Sequence, residues 1–275
     1  MKKQELIFIP GPGVGHLSSC LELAKRLLDH DDRLSITALT FVRKSPEAYI
    51  CDFIESHITQ VRAAVTDIIS SLSNSDVRVA GFVLDFFCVS MIDIANEFSL
   101  PPYIFITSNA GFLGLMLYLP GRHDEISEVM KMSDPDSLIP GIFNPVPARV
   151  LPDAVFNEDG GYDAYVKVAR RFRDGKGIIV NTFAELEPFV LRSFSDDHRI
   201  PPVYPVGPLL QLKGQPHPDL NQDQIAKSVT CAMQSDSEVR KKVKEMSEKG
   251  REAVMDGGNS FTSITKLIKD MTGNS

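Results

Sequence analysis

The sequence predicts an α/β protein: one Rossmann-like domain built on a parallel sheet, followed by a helical segment. Three observations carry this. Short β-rich runs alternate with segments of helical period over the first two-thirds of the 275 residues, the pattern of βα units around a parallel sheet. A glycine-rich turn joins the first strand to the first helix. Beyond a Pro- and Gly-rich stretch that starts at Gly207, no strand-like run recurs.

The elements follow in order. Glu5 to Pro10 (ELIFIP) reads as a buried strand, and Gly11-Pro12-Gly13-Val14-Gly15 as a turn. Leu17, Leu21, Ala24 and Leu28 then recur at helical spacing. Leu34 to Phe41 is a second β-rich run. Ser45-Pro46-Glu47 suits a helix start, with a cap residue followed by proline at the first position. Ile50, Ile54, Ile58, Val61, Val65, Ile68 and Leu72 form the clearest amphipathic stripe, which predicts one helix ending in the cluster Ser70 to Asp76. Val79 to Leu84 is a third strand ending at Asp85. The helix with Met91, Ile94, Ala95 and Phe98 stops at Pro101-Pro102. Tyr103 to Ile106 is a fourth strand, Asn109 to Tyr118 a short helix, and Leu119 to Gly161 a long loop region of the kind that rims a pocket. A helix from Tyr162 to Arg173, a strand at Gly177 to Thr182, a helix at Pro188 to Phe194 and a strand at Val203 to Val206 complete the domain. Gly207 to Asp223 reads as a linker. A charged helix (Glu238 to Met255) and a last helix with Phe261, Ile264, Ile268 and Met271 on one face follow it.

Composition narrows the function. A net charge of -7 disfavours nucleic acid as a partner, because phosphate neutralisation needs a basic surface. Cys20, Cys51, Cys88 and Cys231 form no CxxC pair and no ligand spacing with histidine, so no metal site is expected. Cys20, Cys51 and Cys88 lie among apolar residues and read as free thiols in a reducing compartment. Leu6 to Ile9 is too short for a signal-peptide core, and no run is long enough for a membrane span. The expected location is cytoplasmic.

Two residues could carry chemistry. The turn before His16 lacks the third glycine of GxGxxG and any Walker lysine, which argues against a dinucleotide or P-loop site. His16 falls at the carboxyl end of the first strand, the edge where open α/β sheets bind ligands. It reads either as a proton acceptor near neutral pH or as a cap for the helix. Asp85 ends the third strand at the same edge, between four apolar residues and Phe86-Phe87. Such a carboxylate is costly to bury without a partner. It reads either as the partner that fixes the His16 tautomer or as an N-cap for the segment near Val89.

At this point a family resemblance is legible. FIPGPGVGHLSSCLELAKRL (Phe8 to Leu27), VLDFFCVSMIDIANEF (Val83 to Phe98), PPYIFITSNAGFL (Pro101 to Leu113), GIIVNTFAELEP (Gly177 to Pro188), PPVYPVGPLL (Pro201 to Leu210) and the tail from Glu238 to Ile268 resemble, in order, plant family 1 UDP-glycosyltransferases. The resemblance implies the N-terminal, acceptor-binding half of a GT-B fold, with the terminal helices packing back on it. It implies an inverting transfer of a hexose, glucose by preference, from a UDP-sugar to a hydroxyl of a small phenolic acceptor such as a flavonoid. His16 matches the base and Asp85 its partner. Thr107 matches a residue near the donor sugar. Gly15, Phe86, Asn109 and Phe112 would border the acceptor. No cofactor is implied beyond the UDP-sugar co-substrate.

The sequence departs from that family in two places. The chain has no Trp, so the Trp-bearing C-terminal motif that holds the nucleotide sugar in the family is absent. The strand and helix expected between Phe41 and Ser45 are skipped, so one strand of the usual sheet should be missing. The implied organisation is an acceptor-binding domain at 1–208, a linker at 209–235 and C-terminal helices at 236–275. Weak UDP-sugar binding, little activity alone and self-association through an exposed interdomain face are expected. The competing reading is a non-catalytic module that binds acceptors or a partner. An unrelated Rossmann oxidoreductase would need the complete GxGxxG and a ribose-binding acid after the second strand, and neither is found.

Overall fold

The computed structural model describes residues 4–11, 14–39, 50–210 and 238–273. Pro12 and Gly13 of the turn, the junction between Phe41 and Ser45, the helix start at Ser45-Pro46-Glu47 and most of the linker lie outside the described residues.

Six strands form one all-parallel sheet: β1 (Gln4–Ile9), β2 (Leu34–Ala38), β3 (Arg78–Asp85), β4 (Pro102–Ile106), β5 (Gly177–Val180) and β6 (Val203–Pro205), in the order β2-β1-β3-β4-β5-β6. A parallel sheet covered on both faces needs strands that are apolar at every position. β1 and β4 are buried throughout. The period-2 alternation sorts their side chains into two layers. Ile7, Ile9, Phe82, Leu84, Ile104 and Ile106 face one layer, and Leu6, Phe8, Val83, Tyr103 and Phe105 the other.

The first layer is covered by α2 (Ile50–Glu55), α3 (Ile58–Leu72), α4 (Ile92–Glu97), α5 (Ala110–Glu125), α6 (Gly161–Arg170) and α7 (Pro188–Asp196). The second is covered by α1 (Val14–His30) and by the last helix, α9 (Asn259–Thr272), which follows α8 (Glu238–Val254). α9 buries Ile264, Leu267, Ile268 and Met271 in the same cluster as Leu23 and Leu27 of α1 and Tyr204 of β6. Polar bonds fix its seat. Ser260 Oγ donates to the Gly207 carbonyl at 2.5 Å, Tyr204 Oη to Asp270 Oδ2 at 2.6 Å, and Arg78 Nη2 to the Thr272 carbonyl at 2.6 Å. The C-terminal tail therefore packs back on the sheet domain.

Three expectations are corrected. The helix expected from Ile50 to Leu72 is two helices, interrupted at Ser56 and His57. Ser56 Oγ and His57 Nδ1 both bond the Phe53 carbonyl, each at 2.7 Å. Such local side-chain bonds compete with helix continuation. The short helix expected to end at Tyr118 runs instead to Glu125, through Pro120. Proline removes one intrahelical bond, but Leu115, Met116 and Leu119 are buried before it. After it, the buried Arg122 binds the Glu128 carbonyl at 2.7 Å and Tyr162 Oη at 3.0 Å. The helix expected to reach Arg173 ends at Arg170 and tightens into a 3-10 turn over Arg171–Asp174.

β1 lies between β2 and β3. The chain leaves β1 toward one side and returns on the other, so the crevice between the carboxyl ends of β1 and β3 is the topological switch point, where open α/β sheets bind ligands.

Candidate functional site

His16 and Asp85 meet in that crevice. β1 and β3 are in register up to Ile9 opposite Leu84, which places Asp85 beside the chain leaving β1. His16 stands in the first turn of α1. Its Nδ1 lies 2.6 Å from Asp85 Oδ2. The Asp85 side chain is fully buried, and that of His16 keeps 24% of its surface exposed. The other Asp85 oxygen, Oδ1, accepts from the Phe87 backbone N–H at 3.0 Å, capping the 3-10 helix Phe86–Met91. Asp85 thus contacts His16 with one oxygen and caps the 3-10 helix with the other. For His16, the ring is turned to Asp85 rather than to a capping role.

Gly11 makes room for this pair. A Cβ on it would fall 2.6 Å from Asp85 Oδ1 and 2.9 Å from its Cγ. Gly11→Ala should displace the carboxylate and cost about 1–3 kcal/mol, the usual range for overpacking. Urea denaturation measures the cost, and an unchanged midpoint would contradict the crowding argument.

Burial lowers the proton affinity of the His16 imidazole, but the hydrogen bond and charge of Asp85 together outweigh it, so its pKa stands above the ordinary value. In the neutral ring the proton sits on Nδ1, donated to Asp85, which leaves the Nε2 lone pair as the acceptor. Thr107, two residues past the Asp85–Phe105 pairing of β3 and β4, brings its Oγ1 to 3.3 Å from His16 Nδ1.

Aromatic rings surround the imidazole. Phe86 and Phe87 each have ring centroids 5.5 Å from His16. Phe112 meets Phe86 edge-on at 5.4 Å, and Tyr165 meets Phe112 edge-on at 6.0 Å. A Cβ on the exposed Gly15 would meet nothing within 4 Å, so the space beside the start of α1 is open. The Asn109 oxygen is engaged with the Phe112 N–H at 2.8 Å as the N-cap of α5.

Three features were not singled out in the sequence. Phe87 and Tyr165 join the aromatic cluster; the adjacent Phe86 signals the first, and the buried face of α6 hides the second. Glu187, inside the VNTFAELEP run, accepts from the Ala110 and Gly111 N–H groups at 2.8 Å each and from Thr182 Oγ1 at 2.5 Å. It therefore fills the positive end of α5. Asn181 Nδ2 donates to the Thr107 carbonyl at 3.2 Å, and its Oδ1 accepts from Leu209 N–H at 2.7 Å. Together these bonds hold the segment carrying Thr107.

Cys20 and Cys88 are buried and Cys51 half-buried, all free. Burial pushes the Cys20 and Cys88 thiols well up, away from nucleophilic use. Among the described residues there is no cluster of metal-ligating side chains, and no helix is long and apolar enough to cross a membrane.

No protein-family model matches the chain. UDP-glycosyltransferase 71K1 of Malus domestica is 44% identical over 269 residues, covering 83% of this chain and 56% of that protein. The crystal structure of Medicago truncatula UGT71G1 complexed with UDP-glucose matches with a TM-score of 0.69 at 46% identity, covering 84% of this chain and 57% of that one. By sequence and fold, this chain is a homologue of plant UDP-glycosyltransferases. The relatives include UDP-glucose flavonoid 3-O-glucosyltransferase 6 of Fragaria ananassa, 42% identical over 254 residues, with 78% of this chain and 53% of that protein covered. The homologue spans about half the length of the curated relatives it matches. Its single parallel sheet with returning C-terminal helix corresponds to one half of a GT-B glycosyltransferase.

Proposed function

We propose that this UDP-glycosyltransferase homologue is an acceptor-binding half, in which His16 deprotonates a phenolic hydroxyl. The observation that carries the reading is the 2.6 Å contact between His16 Nδ1 and the buried Asp85 at the switch point. Asp85 holds the ring so that Nε2 faces the acceptor. The phenol gives its proton to Nε2, and its oxygen forms a bond to the anomeric carbon of a UDP-hexose from the face opposite the nucleotide. The bond from that carbon to UDP breaks, UDP leaves with the electron pair, and the configuration inverts. A positioned base of this kind is worth roughly 10²–10⁴-fold in rate. Phe86 and Phe112 offer flat apolar walls to an aromatic acceptor, and Thr107 stands on the side of the donor sugar.

Stabilisation of the leaving UDP needs fixed positive dipoles or charges. Of the helix ends beside the site, that of α5 is already occupied by Glu187 and Asn109, and that of α1 carries His16 itself. We therefore expect the chain to bind phenols while holding UDP-sugars weakly. The span of about half the relatives' length and the absence of Trp favour a second reading, a non-catalytic module that binds acceptors or a partner chain. In either case residues 1–208 form the acceptor-binding unit, 209–235 the linker and 236–275 the C-terminal helices, and free thiols suit a reducing cytoplasm.

Calorimetry with a flavonol and with UDP-glucose, paired with mass spectrometry of the mixture, tests this. Expected are saturable phenol binding, no measurable UDP-glucose binding and at most trace product. Rapid turnover that survives His16→Ala would overturn the base assignment, and failure to bind any phenol would overturn the acceptor-site reading.

A further inference from the structure

Phe87, whose ring touches His16, also lines a neighbouring cavity of about 440 Å³. Tyr165, 6.3 Å from Phe87 between ring centroids, lines it as well. The cavity opens between the start of α2 and the start of α6. Its remaining wall carries the carboxylates of Asp52, Asp159 and Asp163.

Among the described residues that line this cavity, carboxylates outnumber cations. Among the described residues none of these three carboxylates has an ion-pair partner within 4.0 Å. Among the described residues the one cation in the lining, Lys167, is committed to Glu55 at 2.5 Å. The positive end of α6 offsets this excess only in part, with Asp163 in its first turn. Asn157 already takes its first amides, Gly161 N–H on the side-chain oxygen at 3.2 Å and Tyr162 N–H on the backbone carbonyl at 3.4 Å. Concave apolar walls concentrate such a field. Aromatic faces independently favour a cation over an anion. Both features select for the same ligand chemistry.

We propose that this cavity receives the distal end of the acceptor and selects for an organic ammonium there, so that the preferred acceptor class is phenolic amines rather than phenolic acids. The proposal rests on the acceptor-site reading of the His16 crevice, since Phe87 is the wall the two spaces share. The carboxylates are exposed, so the preference is electrostatic and screened by salt.

Three phenols of one skeleton test it: tyramine (ammonium), 4-ethylphenol (neutral) and 3-(4-hydroxyphenyl)propionate (carboxylate), each titrated by NMR into the full chain at low salt and in concentrated salt. Tyramine should bind about tenfold more tightly than the propionate, roughly the effect of one or two exposed charge contacts, with 4-ethylphenol between them. The gap should shrink in high salt. In the double variant Asp159→Asn, Asp163→Asn, whose side chains are on the surface and whose fold circular dichroism would verify, the gap should close to about threefold or less. Equal affinity for the three phenols, or a gap untouched by salt and by the double variant, overturns the charge selection while leaving the acceptor site standing. No binding even of 4-ethylphenol overturns the acceptor site and this proposal with it.

Discussion

Asp85→Ala is expected to cost about 2–4 kcal/mol of stability, because it strands two partners in a buried place. The Phe87 N–H loses its acceptor and His16 Nδ1 loses its strongest bond. The same change should lower the His16 pKa, since the interactions that raise it all come from Asp85. The pH dependence follows in sign. A histidine whose folded-state pKa is raised adds stability that is complete below its unfolded value of about 6.5 and disappears as pH rises through the folded value. The parent chain should therefore be less stable at a pH well above 6.5 than at a pH below it, and the variant should lose less between the two. Urea denaturation at the two pH values and an NMR titration of the His16 ring read both effects. A His16 titration curve that does not move in Asp85→Ala would refute the pairing as the source of the shift.

Leu267→Asp should be more damaging still. Leu267 is fully buried in the layer between α9, α1 and β6, where a carboxylate would find no compensating charge. Burying an unpaired charge is costly enough that the helix should undock instead. The expected loss is at least about 4 kcal/mol, against about 2–5 kcal/mol for the cavity left by Leu267→Ala. Limited proteolysis would show the linkage: cleavage near α9 should accelerate in the aspartate variant well beyond the alanine one. Equal stability of variant and parent would mean that α9 adds nothing to the fold.

The sheet could be read from the sequence because parallel strands advertise themselves. Runs such as LIFI and VAGFVL are apolar at every position, and few other structures ask for that. The carboxyl edge was legible too: a histidine after the first strand and an aspartate at the end of the third must share one edge if the strands are parallel, whereas the strand order that makes it a switch point came from the structure. What stayed hidden was local competition. Nothing in the period of Ile50 to Leu72 discloses that Ser56 and His57 would take the Phe53 carbonyl. The helix expected to end at Tyr118 runs on through Pro120, with buried residues on both sides of it. The site shows the same division. His16 and Asp85 stood out by residue type and place, and Phe86 through the family resemblance. Tyr165 and Glu187 did not, because their roles depend on α6 and α7 reaching α5 in space, which no spacing along the chain encodes. Asn109, expected at the acceptor, also caps α5 through its side-chain oxygen.

The seat of α9 bears on how the chain acquires its structure. Its partners on α1 come from residues 14–30, and the helix itself from residues 259–272. That layer joins nearly the first and nearly the last segments described, a very high contact order. Closing so long a loop is slow. During synthesis the apolar faces of Leu23, Leu27 and Tyr204 must wait uncovered until the final helix emerges. Over that interval the nascent chain presents a half-built core that chaperones can hold and neighbouring chains can capture.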